Sequence, residues 1–216
     1  MPRREPLETG TYYHIYNRSP HNIKIFNDKQ CAIEFERALL YYIQINPPTK
    51  FSVRDKNKKA KDDFSQLLVT ISAYCIMPTH FHILLRQDID SGISIYLQRL
   101  QLSFSHYFNR LHNSHGSLFQ GRFKAKEVSI HASRLYLSRY IHLNPIVANL
   151  TNNLAHYPHS SYKHYAHDIY PPGFNPKPVL GQHLTSQNYL AYLNQEISDL
   201  TPDGFASDLL IDEPGT

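Results

Sequence analysis

Between Leu67 and Leu85 the chain reads Leu-Leu-Val-Thr-Ile-Ser-Ala-Tyr-Cys-Ile-Met-Pro-Thr-His-Phe-His-Ile-Leu-Leu. Two near-continuous apolar runs, broken only at Pro78-Thr79, predict two buried antiparallel strands. Such a pair needs further strands beside it and helices over it, and the flanking segments have the patterns to supply both. Residues 11–18, Thr-Tyr-Tyr-His-Ile-Tyr-Asn-Arg, are aromatic and β-branched and end at Ser19-Pro20, so they read as a strand before a turn. Asn27-Asp28 offers a cap for a helix to about Asn46, stopped by Pro47-Pro48.

After Asp90-Ser91-Gly92, residues Ile93, Leu97, Leu100, Phe104, Phe108 and Leu111 recur every three or four positions and predict a helix to about His112. Residues 118–130 read as extended. A last strong helix begins near Ala132 and is expected to stop at Asn144-Pro145, because proline disfavours helix in the residue before it. The order is strand, helix, strand, strand, helix, strand, helix. It predicts an α+β fold, a mostly antiparallel sheet with helices packed on one face. Residues 1–155 form the expected main domain. Residues 156–216, rich in Pro, Tyr and His and then acidic, form an expected C-terminal appendage with a short helix at about 186–197 and a disordered tail.

Charge is unevenly spread. Residues 178–216 carry six acids and no Lys or Arg, which leaves 22 basic against 12 acidic residues, a net +10, for residues 1–177. That balance suits a polyanionic partner. Residues 91–126 lack Asp and Glu but include Arg99, Arg110, Arg122, Lys124 and Lys126, with Tyr96, Tyr107, Phe119 and Phe123 interleaved. Cations for a backbone and π-faces for unstacked bases together suit single-stranded nucleic acid. The basic stretch 50–63 reads as a loop or hairpin tip. No apolar run approaches the ~20 residues that span a bilayer, so no membrane partner is expected. The start of the chain lacks a signal-peptide pattern and only Cys31 and Cys75 are present, which fits a reducing cytoplasm.

Two constellations can carry chemistry. His80 and His82 are two apart in a strand, so both imidazoles leave the same face while Phe81 and Ile83 point to the other. They amount to half of a metal site or, read alone, to a solvated strand face. Tyr140 and Asn144, four apart on a helix, present a phenol and an amide oxygen one turn apart. Tyr136 shares the spacing, so a core-facing tyrosine stripe is the plainer alternative.

Taken together, Met77-Pro78-Thr79-His80-Phe81-His82-Ile83-Leu84-Leu85 and, some 60 positions on, Arg139-Tyr140-Ile141-His142-Leu143-Asn144-Pro145 resemble the HUH single-tyrosine transposases (IS200-like), in particular their REP-associated branch. Gly10–Arg18, Phe119-Gln120-Gly121-Arg122-Phe123-Lys124 and Tyr157-Pro158-His159-Ser160-Ser161-Tyr162 extend the resemblance over about residues 10–165. The resemblance implies a ferredoxin-like HUH nuclease core. It implies a divalent cation held by His80, His82 and Asn144, where the family more often carries Gln at the last position. It makes Tyr140 the nucleophile that leaves a 5′-phosphotyrosine link and a free 3′-hydroxyl.

Imidazole and amide ligands accept Mg²⁺ or Mn²⁺, and no cysteine pair has the spacing of a closed zinc site. The function so implied is that of a transposase-like single-strand endonuclease and strand transferase on single-stranded or hairpin-bearing DNA. Some family members are homodimers with tyrosine and histidines from different subunits, so a homodimer is an assembly open to this chain. Two other readings share the charge pattern: a catalytically silent DNA-binding repressor of the same fold, and an RNA-binding module.

Overall fold

A computed structural model describes residues 6–49, 51, 62–182 and 184–194. Most of the basic stretch 50–63 and the acidic residues after 194 lie outside these. Four strands, β1 (Tyr12–Arg18), β2 (Val69–Ile76), β3 (His80–Gln87) and β4 (Lys124–Glu127), form one antiparallel sheet in the order β2-β3-β1-β4. The expected hairpin is present: β2 and β3 pair through the Pro78-Thr79 turn, where the Met77 amide donates to the His80 carbonyl at 2.8 Å.

Helices α1 (Lys29–Tyr41) and α2 (Gly92–Leu111) cover the face that carries Phe81, Ile83 and Leu85. Phe35 of α1 and Phe104 of α2 meet Phe26, Phe81 and Phe119 there with ring centroids 4.7–6.4 Å apart. Each buried aromatic removes 150–250 Å² from water, so this cluster fixes the sheet against the two-helix layer. Asp28 caps α1 by accepting from the Gln30 amide at 2.6 Å. The helix ends at Tyr41, short of the expected Asn46, because Gln44 bridges Leu67, with its side chain bonded to the Tyr41 carbonyl and the Asp63 amide.

The third long helix, α3 (His131–Val147), lies against the opposite face, the one bearing the histidines. The sheet is thus layered on both sides. Contrary to the expectation from sequence, Pro145 does not stop α3; the helix continues to Val147. Proline inside a helix costs roughly 3 kcal/mol through its missing N–H and its ring clash. Here it falls in the last turn, and Leu143, Asn144 and Pro145 are all buried. That burial, with the bonds from Ala148 to Asn144 and from Leu150 to Pro145 at 2.9 Å, offsets the loss. Of residues 118–130, expected to be extended, only β4 is strand.

β2 is an edge strand, and the C-terminal residues cover its edge. Ile76 donates to the His159 carbonyl and Ser161 to the Tyr74 carbonyl, both at 2.9 Å, and Asn175 donates to Ile71 at 2.8 Å. The Tyr165 hydroxyl donates to the Ser72 carbonyl at 2.7 Å. Three short helices, α4 (Tyr162–His167), α5 (Lys177–Leu180) and α6 (Ser186–Leu193), follow, and α6 falls within the span expected for a short helix. Among the described residues no helix is long and apolar enough to cross a membrane.

Glu36 ties this covering segment to α1. It accepts from the Tyr74 hydroxyl at 2.6 Å and from the Lys163 ammonium, with His159 at 3.8 Å. Burial alone would raise the Glu36 carboxyl, but His159, Lys163 and Tyr74 outweigh it and hold the group below the ordinary carboxylate range. A depressed folded value means that the unfolded chain binds the proton first. The stabilisation is therefore complete above the unfolded value of about 4.3 and is lost as pH falls below it through the folded value. Urea midpoints measured from pH 7 to pH 3 are expected to fall less in Glu36→Gln than in the unaltered protein; equal slopes would show that Glu36 has no part in the acid sensitivity.

Candidate active site

Alternation along three strands builds the site. On β3, His80 and His82 leave the face opposite Phe81. The register places Tyr16 of β1 across from His82, with Lys124 of β4 across from Tyr16 and Lys126 across from His14. Residues directly opposite in an antiparallel pair share a face. Tyr16, His14, His80, His82, Lys124 and Lys126 are therefore gathered on one surface from three strands.

The His80 and His82 rings are 4.9 Å apart, nearly perpendicular. His80 Nδ1 lies 2.8 Å from the Thr79 hydroxyl, and His82 Nδ1 lies 3.0 Å from His14 Nε2. Both rings use Nδ1 for a protein partner. A partner on the second ring nitrogen fixes the orientation and tautomer of a ligating imidazole. As a donor set, two such imidazoles are of a kind that suits a divalent cation.

Tyr140 of α3 stands over this surface. Its ring is 5.6 Å from that of His82 and 6.3 Å from that of His14, edge-on in both cases. Nucleophile candidate and histidine pair thus come from a single chain. Asn144 follows one turn later, 5% exposed, its amide nitrogen donating to the Tyr140 carbonyl at 3.4 Å. It sits inside the helix rather than at its end. Tyr136 is near Tyr192 and Arg139, and burial raises its phenol above the ordinary value, with Tyr192 adding and Arg139 opposing.

The basic residues divide. Lys124 is exposed, its ammonium 6.0 Å from the Tyr16 ring, and Lys126 is half-buried beside it; both border the histidines. Arg122 is exposed in the turn leading into β4. Arg99 and Arg110 belong to α2, across the sheet. Arg99 donates to the Gln44 and Ile45 carbonyls at 3.2 and 3.0 Å and so braces the end of α1, while Arg110 is exposed in the last turn. Two of the interleaved aromatics, Tyr96 and Phe119, are core residues, 0% and 4% exposed, so they offer no face to a base.

Sequence reasoning passed over His14, which is fully buried yet touches His82. Its signal was present: a lone histidine at an even position of a strand whose odd positions, Tyr13 and Ile15, face the core. Its partner lies 68 residues away, and only the strand register reveals it.

Residues 50–144 match the family model described as Transposase IS200 like. Those residues, a little under half of the chain, are similar to that transposase family. The segment matched contains His80, His82, Tyr140 and Asn144. Among solved structures, the chain is similar to a REP-associated tyrosine transposase bound to a REP hairpin, with a TM-score of 0.57 and 16% identity over 86% of this chain and 96% of that one. At that identity the likeness shows a shared fold. A candidate transposase from Deinococcus radiodurans R1 aligns at a TM-score of 0.37 and 13% identity over 69% of this chain and 97% of that one, too slight a likeness to argue from. No curated protein matches the chain.

Proposed function

We propose that this chain is an IS200-like transposase, a single-strand DNA endonuclease and strand transferase of the REP-associated kind, with Tyr140 as its nucleophile. The observation that carries the reading is the placement of Tyr140 at 5.6 Å from His82 within one chain. The Tyr140 oxygen attacks the scissile phosphorus and loses its proton. The bond from phosphorus to the 3′-oxygen breaks, and that oxygen takes up a proton as a free 3′-hydroxyl. The product is a 5′-phosphotyrosine. Because a phenolate with a pKa of about 10 leaves readily, a 3′-hydroxyl can reverse the step on the same or another strand. That reversibility suits strand transfer better than hydrolysis.

His80, His82 and Asn144 would hold a divalent cation, Mg²⁺ or Mn²⁺. When bound, it would offset charge on the phosphate. His14 is a positioning residue, acting through His82. Lys124 and Lys126, beside Tyr16, line the approach for a single strand or a hairpin end, in keeping with the hairpin carried by the similar structure.

The reading is tested by incubating the protein with labelled hairpin-bearing single-stranded DNA and Mg²⁺ or Mn²⁺. A protein–DNA adduct that survives denaturation is expected. Tight binding with no adduct under any cation would leave a DNA-binding protein and sink the enzyme. For the two lysines, each of Lys124→Ala and Lys126→Ala is expected to weaken binding at all sequences alike and to reduce the slope of log affinity against log salt by about 0.7, the value for one single-strand phosphate contact. An unchanged slope would remove that lysine from the interface.

A further inference from the structure

On the far side of the sheet, where α1 begins and α2 ends, Asp28, Cys31 and His112 bring one ligand atom each to within 4.8 Å of one another. From this cluster we infer a second metal site, for Zn²⁺ or a similar borderline-soft cation, that clamps the first turn of α1 to the last turn of α2. Nothing in the proposed DNA chemistry uses these residues, and the site stands or falls independently of Tyr140.

The geometry suits such an ion. Cys31 Sγ and His112 Nε2 are 3.8 Å apart. Zinc–sulfur and zinc–nitrogen bonds of about 2.3 and 2.0 Å, opened to a tetrahedral angle, separate the two atoms by about 3.5 Å. Thiolate, imidazole and carboxylate are the usual donors of zinc, and three of them leave a fourth position for solvent. Cys31 is fully buried, whereas Asp28 and His112 are exposed, so an ion can arrive from solvent and meet the thiol at the base of the site. His112 caps α2, whose terminal carbonyls favour a cation. Phe108 holds the imidazole by ring contact at 4.2 Å.

Asp28 already accepts from the Gln30 amide with one carboxylate oxygen, which fixes the side chain while its second oxygen can ligate. Without a metal, burial and the nearby Asp28 push the Cys31 thiol up to about 11, so it is protonated at neutral pH. Binding forms the Cys31 sulfur–metal bond and breaks the S–H bond, and the proton goes to solvent.

The test uses the whole protein, reduced and stripped of metal by a chelator. Titration with Co²⁺ is expected to produce a thiolate-to-cobalt charge-transfer band that saturates at one equivalent, releases one proton and is displaced by Zn²⁺. Zn²⁺ at about 100 times its dissociation constant is expected to raise Tm by about 5–10 °C. The band is expected to persist in His80→Ala and to vanish in Cys31→Ala. Asp28→Asn and His112→Gln change exposed positions and are each expected to weaken Zn²⁺ binding at least about tenfold. Absence of the band in the unaltered protein overturns the site. So does a band that survives Cys31→Ala, which would make Cys75 the donor. Should Cys31→Ala fail to fold, unchanged Zn²⁺ affinity in His112→Gln overturns it equally.

Discussion

Tyr140→Phe is expected to abolish the denaturation-resistant adduct and to lower strand cleavage by at least about a thousandfold, in the range seen when a nucleophile is removed. DNA affinity and Tm are expected to stay close to those of the unaltered protein. The size follows from the chemistry: without the hydroxyl no phosphotyrosine can form, and the ring remains to pack on His82 and His14. Gel analysis of labelled DNA, beside a filter-binding titration, separates the two quantities. An adduct that persists in Tyr140→Phe would leave the enzyme but move the nucleophile, with Tyr136, four residues earlier on α3, next in line.

The second large effect is expected at the histidines. His80→Ala should remove the dependence of cleavage on Mg²⁺ or Mn²⁺ and lower the rate at least about a hundredfold, the upper range for a lost ligand or its support. His80 is half-buried, so its removal opens little of the core. His82→Ala should lose activity as completely, but at a cost in stability, since it leaves the His14 Nε2 contact unmade inside the protein. His14→Phe divides support from ligation. It keeps the ring volume, and it is expected to weaken Mn²⁺ binding measured by paramagnetic resonance while Tyr140 remains in place. Cleavage by His80→Ala that still rises with added cation would disprove the metal assignment.

The parts of this molecule that follow short-range rules are legible in the order of its amino acids. A period of two places His80 and His82 together on one face, and the Pro78-Thr79 break sets the hairpin. The stripe from Ile93 to Phe108 marks α2 nearly to the residue. What escapes depends on register or on packing. His14 joins the site because β1 pairs with β3 in one alignment out of several, and a shift by one residue would turn it into the core. Pro145 obeys its local preference only when nothing else decides, and here the burial of Leu143 and Asn144 decides. Tyr96 and Phe119 look like stacking faces in the sequence because aromatic residues serve a core and a nucleic-acid surface equally well. Arg99, expected from the sequence at a phosphate, donates in the structure to two carbonyls at the end of α1, a contact that no local pattern announces.

The helix that carries Tyr140 is held from behind by residues beyond the family match. His142 is fully buried between the Tyr189 and Ser161 hydroxyls, 2.7 Å from each, and Tyr189 donates onward to Ser138 at 2.9 Å. Arg139 lies 5.0 Å over the Tyr192 ring. The same Ser161 is bonded to Tyr74 in the edge strand. Ser161, Tyr189 and Tyr192 thus back the helix as a tool-rest: on the proposed reading they set how far the phenol can reach while adding no group to the chemistry. On that reading, exchanging the residues behind the helix between relatives is expected to retune the aim of Tyr140 on a target strand and to leave every reacting atom unchanged.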